Sequence, residues 1–264
     1  MDITNKVVIM VTGTDIEPFD KNYKECQRTW IPELRKLGFR VIVVVGNPKY
    51  NPGGISKTPQ DNKDYYKFLD DNTIQFNTFD DRRGVYDKSV YLPIKWVLEK
   101  TDYKYYFRID SDSFVHPHRF KKMLEETFKT FPDVDYMGCC HPWLNWNTHE
   151  RYKTFICREA HFAAGAGYMV SHRAMKIAYE KMRVTQPSEF GADDWVLGRA
   201  MWESGIPLLH DSAIFFESKY KTLIKDYKGI GVPDITDENS HLAIQHYMNG
   251  HMKESMELVM KHKI

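Results

Sequence analysis

The sequence predicts an α/β fold in which a mostly parallel central sheet is flanked by helices, within a single domain. Three observations predict it. Short apolar, β-branched runs recur through the first half. Stretches with helical spacing separate them, and glycine or proline clusters mark the boundaries. Strands buried on both faces read as unbroken apolar runs, because neither side of the pleat meets water.

"KVVIMVTG", residues 6–13, is the first such strand, stopped at Gly13. "KNYKECQRTWIPELRKLG", residues 21–38, has helical spacing, with Asp20 placed as its N-cap and Gly38 as its stop. Pro32 lacks an amide proton, so it kinks or splits that helix. "FRVIVVVG", residues 39–46, is the clearest buried strand, and "NPKYNPGGISKTP" after it is a loop by composition. "NTIQFNTF", residues 72–79, reads as a third strand. "VYDKSVYLPIKWVLEK", residues 85–100, reads as a helix with Pro93 near its start or bending it. "YKYYFRIDSDSFVHP", residues 103–117, carries the next strand, and "HRFKKMLEETFKTF" the next helix. The second half is less regular. It has aromatic loops around "HPWLNWNTHERYKTF" and helical spacing in "SHRAMKIAYEKM" and "DDWVLGRAMWES". No repeat, low-complexity tract or clean linker divides the chain, so residues 1–264 are read as one domain.

Bulk properties narrow the function classes. A chain of 264 residues buries roughly 70–75% of its unfolded surface and needs no staples. Its 37 basic and 36 acidic residues leave a net charge of +1, which gives no global pull toward nucleic acid or acidic membranes. Cys26, Cys139, Cys140 and Cys157 follow no metal-ligand spacing, and the adjacent pair makes a poor disulfide framework. They read as buried thiols in a reducing compartment. No run approaches the roughly 18 apolar residues of a membrane helix, and no leader is recognised. The expectation is a cytoplasmic protein, bacterial or viral, complete as written.

The chemistry concentrates at Asp110 and Asp112. In an extended strand they share a face, roughly 7 Å apart, at the carboxyl edge where open α/β sheets bind ligands. Their hard oxygens suit Mg²⁺, Mn²⁺ or Ca²⁺, and a site with few protein ligands leaves positions for water and phosphate oxygens. A lone D-x-D triplet is a weak signal that more often marks a solvated turn. An EF-hand loop is excluded, since Phe114 takes the next ligand position and Val115 the place of the required glycine. A structural carboxylate pair needs basic partners, and only Arg108 is adjacent.

"YYFRIDSDSFVHP" resembles the metal-binding segment of the Fringe and β1,3-galactosyltransferase family of nucleotide-sugar glycosyltransferases, whose fold is GT-A, a Rossmann-like architecture. Further segments resemble the family in the same order. They are Arg28, Thr29 and Trp30 in "CQRTWIPEL", and Lys95 in the helix before the metal strand. Gly165, Gly167, Tyr168 and Ser171 follow in "FAAGAGYMVSHRA", then Asp193, Asp194 and Gly198 in "ADDWVLG", and His246 and Tyr247 in "AIQHYM".

The resemblance implies a metal-dependent inverting glycosyltransferase that uses a UDP-sugar, with Mn²⁺ or alternatively Mg²⁺ at the site. Residues 1–116 would be the nucleotide-binding half and 117–264 the acceptor and catalytic half. Asp112 and His246 are expected as direct metal ligands, with His241 and His251 as competitors for the histidine role. Asp110 would bind through water or hold the ribose. Donor-side roles fall to Thr12, Arg28, Lys95, Arg108 and Ser111, although Arg28 alternatively pairs with a local carboxylate. Asp194 is the expected base for the acceptor hydroxyl, and Asp193 holds a sugar hydroxyl or raises its neighbour's pKa by repulsion. The same pair is also compatible with an ordinary helix start. Gly165 and Gly167 would let a sugar approach the main chain, or serve backbone sterics alone. Trp143, Trp146 and Trp195 are core residues or a stacking platform.

Some features depart from the family. "FESK", residues 216–219, replaces a histidine-containing segment, leaving Glu217 as a possible ligand there, and Ser111 replaces the usual middle aspartate. The expected acceptor is a glycan or lipid-linked precursor. A modified DNA base is the minority reading, carried by Lys219, Lys221, Lys225 and Lys228. The rival class is a non-catalytic sugar- or nucleotide-binding module that does not release UDP, and a phosphohydrolase is a third.

Overall fold

Val7–Thr12 (β1) and Arg40–Val45 (β2) lie side by side in parallel register, with Val8 opposite Arg40 and Thr12 opposite Val44. The computed structural model describes residues 2–17, 20–50, 64–81, 84–140, 155–157, 162–184, 193–215, 235–236, 240–246, 248 and 250–261. Between β1 and β2 the helix is split into Asp20–Arg28 (α1) and Trp30–Lys36 (α2). Pro32 has no N–H for the carbonyl of Arg28, four residues back, and the chain breaks at Thr29, whose Oγ1 donates to the Glu25 carbonyl instead. Asp20 lies inside the first turn rather than at the cap, and Lys24 Nζ donates to its Oδ2 at 2.7 Å. Gly38 does end the helix. It adopts φ +96°, its N–H bonds to Arg35 O, and the Phe39 N–H bonds to Leu34 O. That paired return is the Schellman pattern, which glycine adopts without a Cβ penalty.

Tyr66–Asp70 (β3) and Thr73–Phe76 (β4) form a hairpin whose second strand runs parallel to β2. Only the second strand is legible in the sequence. A π-helical turn, Asp87–Tyr91, leads into Leu92–Lys100 (α3), where Pro93 stands at the second position. The Ser89 carbonyl, deprived of a donor by Pro93, accepts from Tyr106 Oη at 2.6 Å.

Tyr105–Asp110 (β5) pairs in parallel with β1, placing Asp110 opposite Thr12. Phe114–Val115 (β6) follows, then Pro117–Thr130 (α4), which His116 caps by accepting from the Arg119 N–H. Tyr136–Cys140 (β7), Phe155–Cys157 (β8) and Ala163–Ser171 (β9) come next. His172–Val184 (α5) and Asp193–Trp202 (α6) precede Leu208–His210 (β10). The main sheet runs β3-β4-β2-β1-β5-β9-β7-β10-β8. Strands β4, β2, β1, β5, β7 and β10 share one direction, and β3, β9 and β8 oppose it. The predicted mixed α/β architecture with a mostly parallel sheet is the one present.

Alternation along the strands divides the core in two. Val7, Ile9, Val11, Phe107 and Ile109 pack on one face with α1, α2 and α4, while Val8, Met10 and Tyr106 pack on the other with α3, α5 and α6. A small second sheet joins Ile214–Phe215 (β11), Ile244–Gln245 (β12) and β6. Met252–Lys261 (α7) ends the described chain and packs on α1. All four cysteines are buried and none is in a disulfide. Among the described residues no helix is long and apolar enough to cross a membrane.

Candidate active site

β5 delivers Asp110 to the carboxyl edge of the sheet and stops there. Ser113 N–H bonds back to Asp110 O at 3.0 Å, so Ser111 and Asp112 form a turn rather than two further strand residues. Alternation along an extended strand therefore does not describe the aspartate pair. The turn brings Asp112 back toward Asp110. It is pinned from three sides: Ser113 Oγ donates to Ala166 O at 3.0 Å, Cys26 Sγ to Ser111 O at 3.1 Å, and Met248 N–H to Asp112 O at 2.8 Å.

The third member arrives from far along the chain. β12 pairs antiparallel with β6, Ile244 opposite Val115 and Gln245 opposite Phe114, so the next residue, His246, is carried to the aspartate turn. Its Nε2 lies 2.7 Å from Asp112 Oδ1 and 3.6 Å from Asp110 Oδ2. One ligand atom from each of the three residues falls within 4.8 Å of the other two. His241 is exposed with Nε2 3.1 Å from Ser212 O, and His251 pairs with Glu254. Neither joins the cluster. Two carboxylates and one imidazole form a donor set that suits a divalent cation, with hard oxygens and a borderline nitrogen.

Electrostatics agree with a site short of positive charge. Burial, reinforced by the Asp112 charge and opposed by Arg108, raises the Asp110 carboxyl to about 7. Burial works against the His246 cation, but Asp112 and then Asp110 outweigh it and hold its pKa above the ordinary imidazole value. A divalent cation would relieve this crowding of carboxylates and would favour the neutral imidazole that ligation requires.

Arg108, on the same face of β5 as Asp110, is 2% exposed. Its Nη2 donates to Asp110 Oδ1 at 2.6 Å and to Asp193 Oδ2 at 2.9 Å, and its Nη1 to Gly165 O at 3.3 Å. Asp193 and Asp194 open α6. Gly198 lets that helix seat close to the chain, since a Cβ there would lie 2.1 Å from Phe162 Cβ. Asp194 is half-buried, with the Trp195 N–H donating to its Oδ1 at 2.9 Å. Burial, then the neighbouring Asp193 charge, raises the Asp194 carboxyl to about 6.

The remaining sequence-selected residues disperse. Thr12 ends β1 beside Asp110, and its buried hydroxyl has no hydrogen-bond partner among the described residues. Ser111 is in the aspartate turn and Gly165 lines Asp110, where a Cβ would stand 2.2 Å from Asp110 Oδ2. Gly167 faces Ile244 and Phe107, so its close approach is to the second sheet. Arg28 is exposed at the end of α1. Lys95 is buried in α3 with its ammonium 4.4 Å from the Tyr65 ring centroid. Trp195 is half-buried, its ring 5.6 Å from the Arg199 guanidinium carbon. Trp143, Trp146, Glu217, Tyr247 and the lysines at 219, 221, 225 and 228 lie outside the described residues.

Asp80 is a residue that sequence reasoning missed. Its carboxylate accepts from Gly46 N–H, Asp15 N–H, Thr14 Oγ1 and Lys88 Nζ, joining the segments that follow β1, β2 and β4 at the carboxyl edge. The signal available was "FDDRRG", an acidic pair directly after a strand. Lys88, only 3% exposed, gave no sign of burial in a charged stretch.

A sequence model of the family described as Galactosyltransferase matches residues 24–212, a span that includes α2, the aspartate turn and α6. None of the curated proteins matches the sequence. Among solved structures, a glycosyltransferase involved in glycosylation of the major capsid of PBCV-1 is similar at TM-score 0.46 and 11% identity, covering 96% of this chain and 99% of that one. A CMP:2-keto-3-deoxy-manno-octonic acid synthetase complexed with CTP aligns at TM-score 0.42 and 12% identity, over 78% of this chain and 89% of its own.

Proposed function

Because this chain belongs to the Galactosyltransferase family and is a glycosyltransferase, we propose that it is a divalent-metal-dependent, inverting enzyme. It transfers a sugar from a UDP-sugar to a hydroxyl of a glycan or lipid-linked precursor. The observation that carries this reading is the convergence of Asp110, Asp112 and His246 at the carboxyl end of β5. Asp112 and His246 would hold the ion, Mn²⁺ in preference to Mg²⁺ because of the imidazole, with Asp110 Oδ2 toward it directly or through water. When bound, the ion supplies charge that neutralises the departing diphosphate.

The chain's own residues do the rest. Thr12 ends β1 beside Asp110, on the side where the donor would lie. Asp194, held through Oδ1 by the Trp195 N–H, accepts the acceptor hydroxyl's proton on its other oxygen. With a pKa of about 6 it is ionised near neutral pH yet basic enough to assist. Attack by that hydroxyl on the face opposite the leaving UDP inverts the anomeric centre.

The test is UDP release across a panel of UDP-sugars, in Mn²⁺ and in EDTA. Release should require the ion, should be lost in His246→Ala and should persist in His241→Ala. Tight UDP binding without release from any donor would instead mark a non-catalytic binding module. Equal release in EDTA would rule out the metal.

A further inference from the structure

Arg108 stands where the strand's pattern calls for an apolar side chain. It follows Tyr106 on the face covered by α3, α5 and α6, and it is almost fully buried. A guanidinium in that position must find its acceptors inside the protein. It finds three, Asp110, Asp193 and the Gly165 carbonyl, and its central carbon lies 5.4 Å from the Tyr168 ring centroid. One nitrogen, Nη2, serves both carboxylates.

Those two carboxylates belong to different parts of the site. Asp110 gives Oδ1 to Arg108 and turns Oδ2 toward His246. Asp193 is the first residue of α6, directly before Asp194. We infer that Arg108 is a positioning residue that couples the metal cluster to the helix bearing Asp194, with Asp193 as its anchor, and that neither contacts the donor. This inference rests on the proposed roles of Asp110 and Asp194. The arginine fork reaches both partners at once and the carbonyl besides, whereas lysine presents a single point charge. Removing Asp193 leaves the cation facing Asp110 alone. Asp110 is then drawn from the metal side, and the local field turns less favourable to a second cation.

A double-mutant cycle tests the coupling, read first by titrating Mn²⁺ alone into the nucleotide-free protein and following free ion by electron paramagnetic resonance. Asp193→Asn should weaken Mn²⁺ binding ~10-fold in the Arg108 background and less than ~2-fold in Arg108→Gln. Asp194→Asn, one residue along, should leave Mn²⁺ affinity unchanged. Equal effects of Asp193→Asn in both backgrounds would overturn the inference. In the turnover arm, Arg108→Gln should lower kcat ~100-fold with the donor KM within ~3-fold, and Arg108→Lys should recover only part of it. A ~10-fold rise in donor KM at unchanged kcat would make Arg108 a donor contact and overturn the inference.

If Arg108→Gln does not fold, Asp193→Asn against Asp194→Asn still decides, because coupling requires that only the first weakens Mn²⁺. Wild-type protein that binds Mn²⁺ but releases no UDP would sink the enzymatic reading while the titration still judged the coupling. Turnover without Mn²⁺ binding would remove the metal, and non-additive kcat losses in the cycle would then decide. Wild-type protein with neither property would end both.

Discussion

Replacing Gly165 with alanine probes the aspartate cluster with one methyl group. The added Cβ would lie 2.2 Å from Asp110 Oδ2, 2.8 Å from Arg108 Nη1 and 3.2 Å from Asp110 Cγ. Ordinary carbon–oxygen contact is near ~3.4 Å, so the carboxylate must retreat by about 1 Å. It cannot retreat freely, because Oδ1 is held by Arg108 at 2.6 Å. The displaced oxygen is the one facing His246. Losing the orientation of a carboxylate at a metal site costs on the order of 10–100-fold in affinity, and overpacking a filled site costs about 1–3 kcal/mol of stability. Gly165→Ala should therefore weaken Mn²⁺ by at least ~10-fold and lower Tm by roughly 2–10 °C. Isothermal titration with Mn²⁺ and thermal melting by circular dichroism measure the two effects. Gly167→Ala is the comparison. Its Cβ meets Ile244 Cδ1 at 2.9 Å, the end of a side chain that can turn aside, and Mn²⁺ affinity should change far less. Wild-type affinity in Gly165→Ala, or equal loss in both variants, would refute the assignment of Asp110 to the cluster through this contact.

Asp194→Asn should lower turnover by ~100-fold or more while donor and Mn²⁺ affinities stay within about threefold, the pattern of a lost general base. In the wild type, turnover should fall as pH drops through about 6, because Asp194 becomes protonated there. A flat profile from pH 5 to 8 would exclude it as the base. Asp87 provides a stability test away from the aspartate cluster. It is 9% exposed, Thr78 Oγ1 donates to one oxygen, the other has no partner among the described residues, and burial raises its carboxyl to about 6. A raised folded-state pKa means that the fold binds this proton more tightly than the unfolded chain does. The Asp87 contribution to stability is therefore full below pH ~4 and is lost as pH rises through about 6, by roughly 3 kcal/mol for a rise from 3.8 to about 6. Asp87→Asn should stabilise the protein against urea at pH 8 by up to that amount and do little at pH 4. An equal effect at both pH values would refute the burial argument.

The sequence by itself determined what depends on neighbours along the chain. The unbroken apolar runs of β1, β2 and β5 require burial on both faces, Pro32 cannot sit four residues after an uncapped carbonyl, and Gly38 accepts the positive φ of a helix end. Asp110 and Asp112 stood out because paired charges interrupt an otherwise apolar segment, whereas Asp193 and Asp194 were singled out by the family resemblance alone. The short strands of the second sheet and the outer strand of the hairpin escaped that reading, since two to five residues carry too little periodicity to register. Tertiary structure alone decided the rest. Of the histidines at 241, 246 and 251 the family resemblance favoured His246, and the antiparallel register of β12 on β6 is what brings it to Asp112. Lys95 and Arg108 looked alike as donor-side cations, yet one lies over Tyr65 and the other between Asp110 and Asp193. Local sequence fixes which side chains point from an element, but a site made of β5, α6 and β12 depends on contacts between residues 85 or more apart, and chain order carries no record of those distances.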